Sequence, residues 1–209
     1  MTCKKDEKSG SRSGRLRVLS SVPALEPDVA DRDLVALLRE RDARGFDAAY
    51  ARYAARVYGF LVRLTRSRAL ADDLLQQTFM RLAERGPSLR PESDLRAWLF
   101  TVARNALHSH ARAAATAARA EPPCVIIDGA LTESSLALNE LEMALARLTR
   151  EDRELLLLIG VEGLGPREVA FMFGIDPAVL RKRLSRARAR LAEVLDTTPA
   201  VVRKSDIRR

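Results

Sequence analysis

GLGPREVAFMFGIDPAVLRKRLSRARARLAEVL, residues Gly163 to Leu195, reads as helix, tight turn, helix. The first helix opens at Gly165-Pro166, because proline is favoured at the first helical position, where its missing N–H costs nothing. Val169, Ala170 and Phe173 form its buried side. Gly174 ends it, since glycine tolerates the left-handed conformation of a helix C-terminus. Asp176 then caps the next helix, with Pro177 as its first residue. Two helices joined by about four residues containing a glycine are the helix-turn-helix pattern.

At roughly 100° per residue, Leu180, Leu184, Ala187, Leu191 and Val194 share one apolar face of the second helix. Lys182, Ser185, Arg186 and Ala189 lie opposite, with Arg181, Arg183, Arg188 and Arg190 on the flanks. A helix-turn-helix reads DNA bases in the major groove with the N-terminal part of its second helix. Arg181, Lys182, Ser185 and Arg186 are therefore the expected readers. The alternative for such a charge run is a solvated basic face on a helical bundle.

The charge balance favours the first reading. The 209-residue chain carries a net charge of +8, and its last 33 residues, from Pro177, hold ten Lys/Arg against three acids. A basic C-terminal block implies a polyanionic partner, nucleic acid first. Aromatics are few, yet 47% of residues are hydrophobic, which suits an Ala/Leu/Arg-rich helical protein. Cys3 and Cys124 are far apart in dissimilar surroundings, so no disulfide framework is expected and a reducing cytoplasm is the default. No apolar run is long enough to span a membrane, and no signal-peptide core precedes Ser20, so neither membrane insertion nor secretion is expected.

Taken in order, residues 1–29 read as a flexible basic tail of Lys, Arg, Ser and Gly, with Pro23 and Pro27. Asp31 or Asp33 is placed to cap a short helix with Leu34, Leu37 and Leu38 on one face. Phe46, Tyr50, Tyr53, Val57, Phe60, Leu61 and Leu64 then mark a longer amphipathic helix. The next helix, Ala69 to Leu82, buries Leu74, Leu75, Phe79 and Leu82 and presents Asp72, Asp73, Gln76, Gln77 and Thr78. Capping and solvation account for the acids but not for two adjacent glutamines and a threonine.

GPSLRPES, Gly86 to Ser93, is a loop, after which Ser93 or Asp94 caps a helix running to about Arg112. Leu95, Leu99, Val102 and Ala106 give that helix a buried stripe, opposite Thr101, Arg104, Asn105, His108 and Arg112. The polar side suits contacts to nucleic-acid backbone and bases.

Residues 113–133 pass from an alanine-rich run into EPPCVIIDGALT and read as a linker. The second domain, 134–196, starts with Leu138, Leu141, Leu145 and Leu148 on one helix face. Thr149 and Asp152 resemble a capping box. LLLLIGV, within the helix from Arg150 to Val161, is apolar enough to form the domain's centre. Residues 197–209 are a basic tail. The expected fold is all-α: two small helical domains, 30–112 and 134–196, joined by a flexible linker.

Two blocks now resemble a known family. DLVALLRERDARGFDAAYARYAARVYGFLVRLTRSRALADDLLQQTFMRLAERGPSLRPESDLRAWLFTVARNALHSHAR resembles region 2 of the extracytoplasmic-function (group IV) sigma factors of bacterial RNA polymerase, in the sigma-70 family. LARLTREDRELLLLIGVEGLGPREVAFMFGIDPAVLRKRLSRARARL resembles region 4. No segment the size of region 3 lies between them, as in that group.

The resemblance implies roles for faces already found. Asp72, Asp73, Gln76, Gln77 and Phe79 fall on the helix that binds the polymerase β′ clamp helices. The family has an acid at Gln77. Arg104, Asn105, His108 and Arg112 fall on the element that reads the −10 promoter segment, with Ser88 to Ser93 as the loop that captures an unstacked base. Arg181, Lys182, Ser185 and Arg186 fall on the −35 reader. The family has Ser or Thr at Gly165, and Gly-Thr or Gly-Ser at Ala178-Val179. Implied partners are core polymerase (β′ clamp helices and β flap), promoter DNA and an anti-sigma factor.

No Gly-rich phosphate loop, zinc-type spacing or nucleophile motif suggests an enzyme, so no cofactor or metal is expected. His108 and His110 are two apart and point differently on a helix. A stand-alone helix-turn-helix regulator is the main alternative, but it leaves Gln76, Gln77 and the helix after Asp94 without a role. A sigma-like protein that acts by protein interaction and no longer binds promoters is a third.

Overall fold

The computed structural model describes residues 30–117 and 136–197. Among the described residues all regular structure is helical. The helices are α1 (Asp31–Arg39), α2 (Ala43–Thr65), α3 (Arg68–Arg85), α4 (Leu95–Ala117), α5 (Leu136–Arg147), α6 (Arg150–Leu156, continued by a wider π turn over Leu157–Val161), α7 (Pro166–Phe173) and α8 (Pro177–Thr197). Apart from Thr197, which ends α8, the expected tails and most of the linker, Cys124 and Val125 to Ile127 included, lie outside the described residues. Residues 113–117, expected to begin the linker, continue α4.

Helices α1 to α4 form the first bundle. Its centre is an edge-to-face pair, Phe60 of α2 against Phe100 of α4, at 5.4 Å between ring centroids. Leu61, Leu74, Leu82, Leu95 and Leu99 surround it without measurable exposure. Gly45 lets α2 press against α1, since a Cβ there would lie 2.7 Å from the Leu37 Cβ. Neither Asp31 nor Asp33 caps α1 with its side chain. Asp31 instead accepts from the Tyr53 hydroxyl at 2.5 Å and from Arg52 at 2.9 Å, tying α1 to α2. Asp42, Ser67 and Asp94 supply the side-chain caps that begin α2, α3 and α4.

The buried stripe of α4 differs from the sequence expectation. Leu95 and Leu99 are buried, but the stripe continues through Phe100, Ala103 and Leu107, while Val102 and Ala106 are half-buried. A helical period admits both stripes. Packing selects the one carrying Phe100 and Leu107, because it removes more apolar area from water at about 25 cal/mol per Å². Phe79 and Thr78 are also interior. Phe79 packs edge-on against Tyr50 and Phe46, and the Thr78 hydroxyl donates to the Leu74 carbonyl at 2.7 Å.

The second bundle, α5 to α8, is centred on the four leucines 155–158, all buried. Thr149 caps α6 through the Asp152 N–H. Gly174, at φ +62°, closes α7 in the left-handed conformation. No side-chain cap stands at Gly165; Glu168 reaches back to accept its N–H at 2.7 Å. Asp176 accepts from the Ala178 N–H at 2.6 Å at the start of α8, so the cap comes from before the Ala178-Val179 position. Leu180, Leu184 and Ala187 are buried and Leu191 and Val194 half-buried, as the spacing predicts.

Candidate nucleic-acid interface

The N-terminal turns of α8 stand clear of the bundle. Arg181, Lys182, Ser185 and Arg186 are all exposed, and none of the three cations pairs with an acid among the described residues. Arg183 and Arg188 are exposed beside them. Further along, Arg190 is held by Asp152 at 2.5 Å. The burial of Leu180, Leu184 and Ala187 fixes the opposite face, so the cationic side is held outward by packing.

The first bundle carries two grooves, one on each side of α3. The first is lined by Phe46, Tyr50, Asp72, Leu75, Gln76, Phe79, Met80 and Ala83. It is apolar, with Asp72 and Gln76 on its rim and the exposed Tyr50 and Met80 side chains at its mouth. The second lies between α3 and α4, lined by Gln77, Arg81, Arg85, Trp98, Val102, Asn105, Ala106 and Ser109. It brings two guanidiniums, an indole and two amides to one surface.

The residues expected to meet the polymerase and the −10 segment are thus distributed over several surfaces. Asp72, Gln76 and Phe79 share the apolar groove. Asp73 is exposed outside both grooves. Gln77 belongs with Asn105 in the second groove. Arg112 is exposed and donates to the Ser109 hydroxyl at 3.1 Å.

Arg104 and His108 lie in the seam between the two bundles. The Arg104 guanidinium is 2.5 Å from a Glu154 carboxylate oxygen, donates to the Met172 carbonyl at 3.1 Å and covers the Phe173 ring at 4.2 Å. His108 Nε2 is 3.1 Å from the other Glu154 oxygen. The Glu154 side chain has no exposure. The cause of the displacement is the stripe rotation in α4, which turns Arg104 and His108 toward α6 and α7.

Further polar contacts cross the seam. Glu162 is 5% exposed and accepts from Arg56 at 3.0 Å, while its carbonyl accepts from Arg56 and Arg96. Arg63 pairs with Glu142 at 2.7 Å. Arg153, nearly buried, donates to the Leu145, Ala146 and Leu148 carbonyls at and just past the end of α5, and to the Arg63 carbonyl. Arg66 donates to the Ala146 carbonyl as well. Burial and the neighbouring Arg66 and Arg150 lower the Arg153 pKa.

Burial pushes the Glu162 carboxyl up, outweighing the pull of Arg56, Arg63 and Arg96. A carboxyl whose folded pKa exceeds its unfolded value contributes stability below the unfolded value and loses it as pH rises through the folded one. Thermal unfolding should therefore show the parent chain losing stability relative to Glu162→Gln as pH rises from about 4.3 toward neutrality. A constant difference between the two chains across that window would refute the burial effect.

Sequence reasoning missed Arg81, Arg85 and Trp98. Their signal was present: Gln77, Arg81 and Arg85 recur every fourth residue on α3, and Trp98, Val102, Asn105 and Ser109 follow helical spacing on α4. The acids of the seam carried no such signal, because their partners lie far away in the chain.

Comparison with known proteins matches two family models: Sigma-70 region 2 over residues 49–116 and Sigma-70, region 4 over residues 138–191. RNA polymerase sigma factor CarQ of Myxococcus xanthus is 35% identical over 154 residues, covering 72% of this chain and 88% of CarQ. ECF RNA polymerase sigma factor SigM of Bacillus subtilis is 31% identical over 156 residues, covering 69% and 91%. Among solved structures, the sigma factor RpoE from Bartonella quintana, in complex with the anti-sigma factor NepR, superposes with a TM-score of 0.65 at 28% identity, covering 73% of this chain and 98% of that one. CnrH, in complex with the cytosolic domain of CnrY, shares the fold with a TM-score of 0.62 at 24% identity, covering 81% and 99%.

Proposed function

This chain belongs to the extracytoplasmic-function group of the sigma-70 family of RNA polymerase sigma factors, and we propose how its surfaces divide the work of promoter-specific initiation. The observation that carries the proposal is the pairing, on one chain, of a cationic helix-turn-helix face with a separate Arg/Trp/Asn groove on the first bundle. The stand-alone regulator leaves that second groove without a role.

Arg181, Lys182, Ser185 and Arg186 read the −35 element as duplex in the major groove. Gln77, Arg81, Arg85, Trp98 and Asn105 take the −10 strand once it is opened, with indole stacking and guanidinium–phosphate contacts, the combination that holds single strands elsewhere. The apolar groove with Asp72 and Gln76 on its rim, beside Asp73, docks the polymerase clamp helices. Arg104 and His108 join the −10 contacts when the seam opens, and Arg112 extends them along α4. The chain's part is recognition and strand capture, with no covalent step of its own. Among the described residues no helix is long and apolar enough to cross a membrane. Cytoplasmic residence with the polymerase belongs to the same proposal. So does an anti-sigma partner, supported by the likeness to the RpoE of the NepR complex.

The test is reconstitution. The purified chain added to bacterial core polymerase should initiate transcription from a subset of a promoter library. DNA binding that needs no core, with no initiation, would reject the proposal. A narrower check concerns Arg81. Arg81→Ala should weaken holoenzyme binding to a forked −10 template and lower the dependence of log affinity on log salt by about 0.7, the value for one phosphate contact on a single strand. An unchanged salt slope would remove Arg81 from the strand path.

A further inference from the structure

We infer that Ala178 and Val179, in the exposed first turn of α8, are a specificity element that selects a thymine in the −35 duplex by its 5-methyl group. The inference rests on the proposed promoter reading and deepens it at the same helix. At roughly 100° per residue, Ala178 falls within about 30° of the direction opposite the buried Leu180, Leu184 and Ala187. Lys182, one turn on, shares that direction. Val179 stands beside it on the Arg186 side and is 43% exposed, although the adjacent Leu180 has no exposure. Pro177 and Ala178 are exposed with it. The turn that leads the helix into the groove is thus apolar, and the cations begin only at Arg181.

This turn offers little to a polar base edge. Pro177 has no N–H, the Ala178 N–H is taken by the Asp176 carboxylate at 2.6 Å, and no side chain from Pro177 to Leu180 carries a polar atom. Phosphate is disfavoured there as well, because that carboxylate already occupies the positive end of the helix. In the major groove thymine presents a methyl group, while the other bases present only hydrogen-bond acceptors and amino donors. An apolar side chain pressed on a donor or acceptor strips its water and returns no hydrogen bond. Pressed on a methyl group, it removes apolar area from water. The same two side chains therefore favour thymine and disfavour the other three bases. Helix geometry sets the position. Ala178 and Lys182 are four residues apart, about 6 Å along the axis at 1.5 Å per residue, or about two base-pair steps of 3.4 Å. The selected thymine lies within that distance of the base that Lys182 reaches.

The test uses the full chain on core polymerase. It selects binders from promoter DNA randomised across the −35 element, and one position of the enriched set should be thymine, within about two base pairs of a guanine. Replacing that thymine by uracil removes only the methyl group and should weaken binding roughly fourfold, the worth of one buried methyl. In a double variant, Ala178→Ser with Val179→Ser, the same replacement should leave affinity unchanged, while replacing the neighbouring guanine still weakens it. The uracil duplex tests the parent chain directly, so the inference stays open to refutation even if the double variant misfolds. An enriched set without a thymine, a uracil duplex bound as tightly as the thymine duplex, or a uracil penalty that the folded double variant retains would each overturn the inference. Failure of the promoter reading gives a different result: no −35 sequence is enriched at all, and the inference falls with that reading.

Discussion

A chain carrying Arg181→Glu and Arg186→Glu is expected to bind core polymerase as the parent does and to lose at least about 30-fold in affinity for a −35 duplex. Each arginine that grips a guanine is worth about 1–3 kcal/mol of discrimination. Two losses at the lower bound give about 2 kcal/mol, and each 1.4 kcal/mol is tenfold. The introduced carboxylates add repulsion from phosphate. Both side chains are exposed and unpaired with any acid among the described residues, so the fold is expected to change by no more than about 0.5 kcal/mol. The proposal assigns clamp-helix docking to the apolar groove of the first bundle, which none of these charges lines. The measurement is a pair of titrations, one against core polymerase and one against a −35 duplex, followed by transcription from promoters with and without that element. Full promoter selectivity in the double variant would remove α8 from the reading role.

The sequence made α8 legible because its reading depends on local chemistry. A proline at the first helical position, a left-handed glycine and an aspartate cap act within a few residues, and each appears in the structure where the spacing puts it. The four leucines 155–158 were equally plain, since no exposed helix tolerates such a run. The α3 glutamines were legible as polar surface, but not as two surfaces. Gln76 faces the apolar groove and Gln77 the Arg/Trp groove, a division set by the helices packed on either side of α3. The seam was not legible at all. Glu154 meets residues 46 and 50 positions earlier, and Glu162 meets one 106 positions earlier. An acid in a helix reads as solvated surface until another domain removes its water.

The α4 stripe is the case where two readings can be separated by measurement. Phe100→Ala is expected to cost the first bundle about 3–5 kcal/mol, the range for emptying a packed phenylalanine site. Phe100 has no exposure, and its edge-to-face contact with Phe60 adds to the loss. Val102→Ala removes two methylene equivalents from a half-buried position and should cost about 1 kcal/mol or less. If the stripe ran through Val102 and Ala106, the two costs would approach each other, and denaturant unfolding of both variants decides between them. The consequence for function follows from the small net stability of domains, about 5–15 kcal/mol. Phe100→Ala uses up a large part of it, so promoter opening should fall together with the folded fraction and recover on cooling or at lower denaturant. Arg81→Ala should weaken strand capture in a chain that remains folded. A Phe100→Ala chain that kept parental stability but failed to open promoters would mean that Phe100 touches DNA or polymerase directly. The edge-to-face pair with Phe60 would then be incidental to its role.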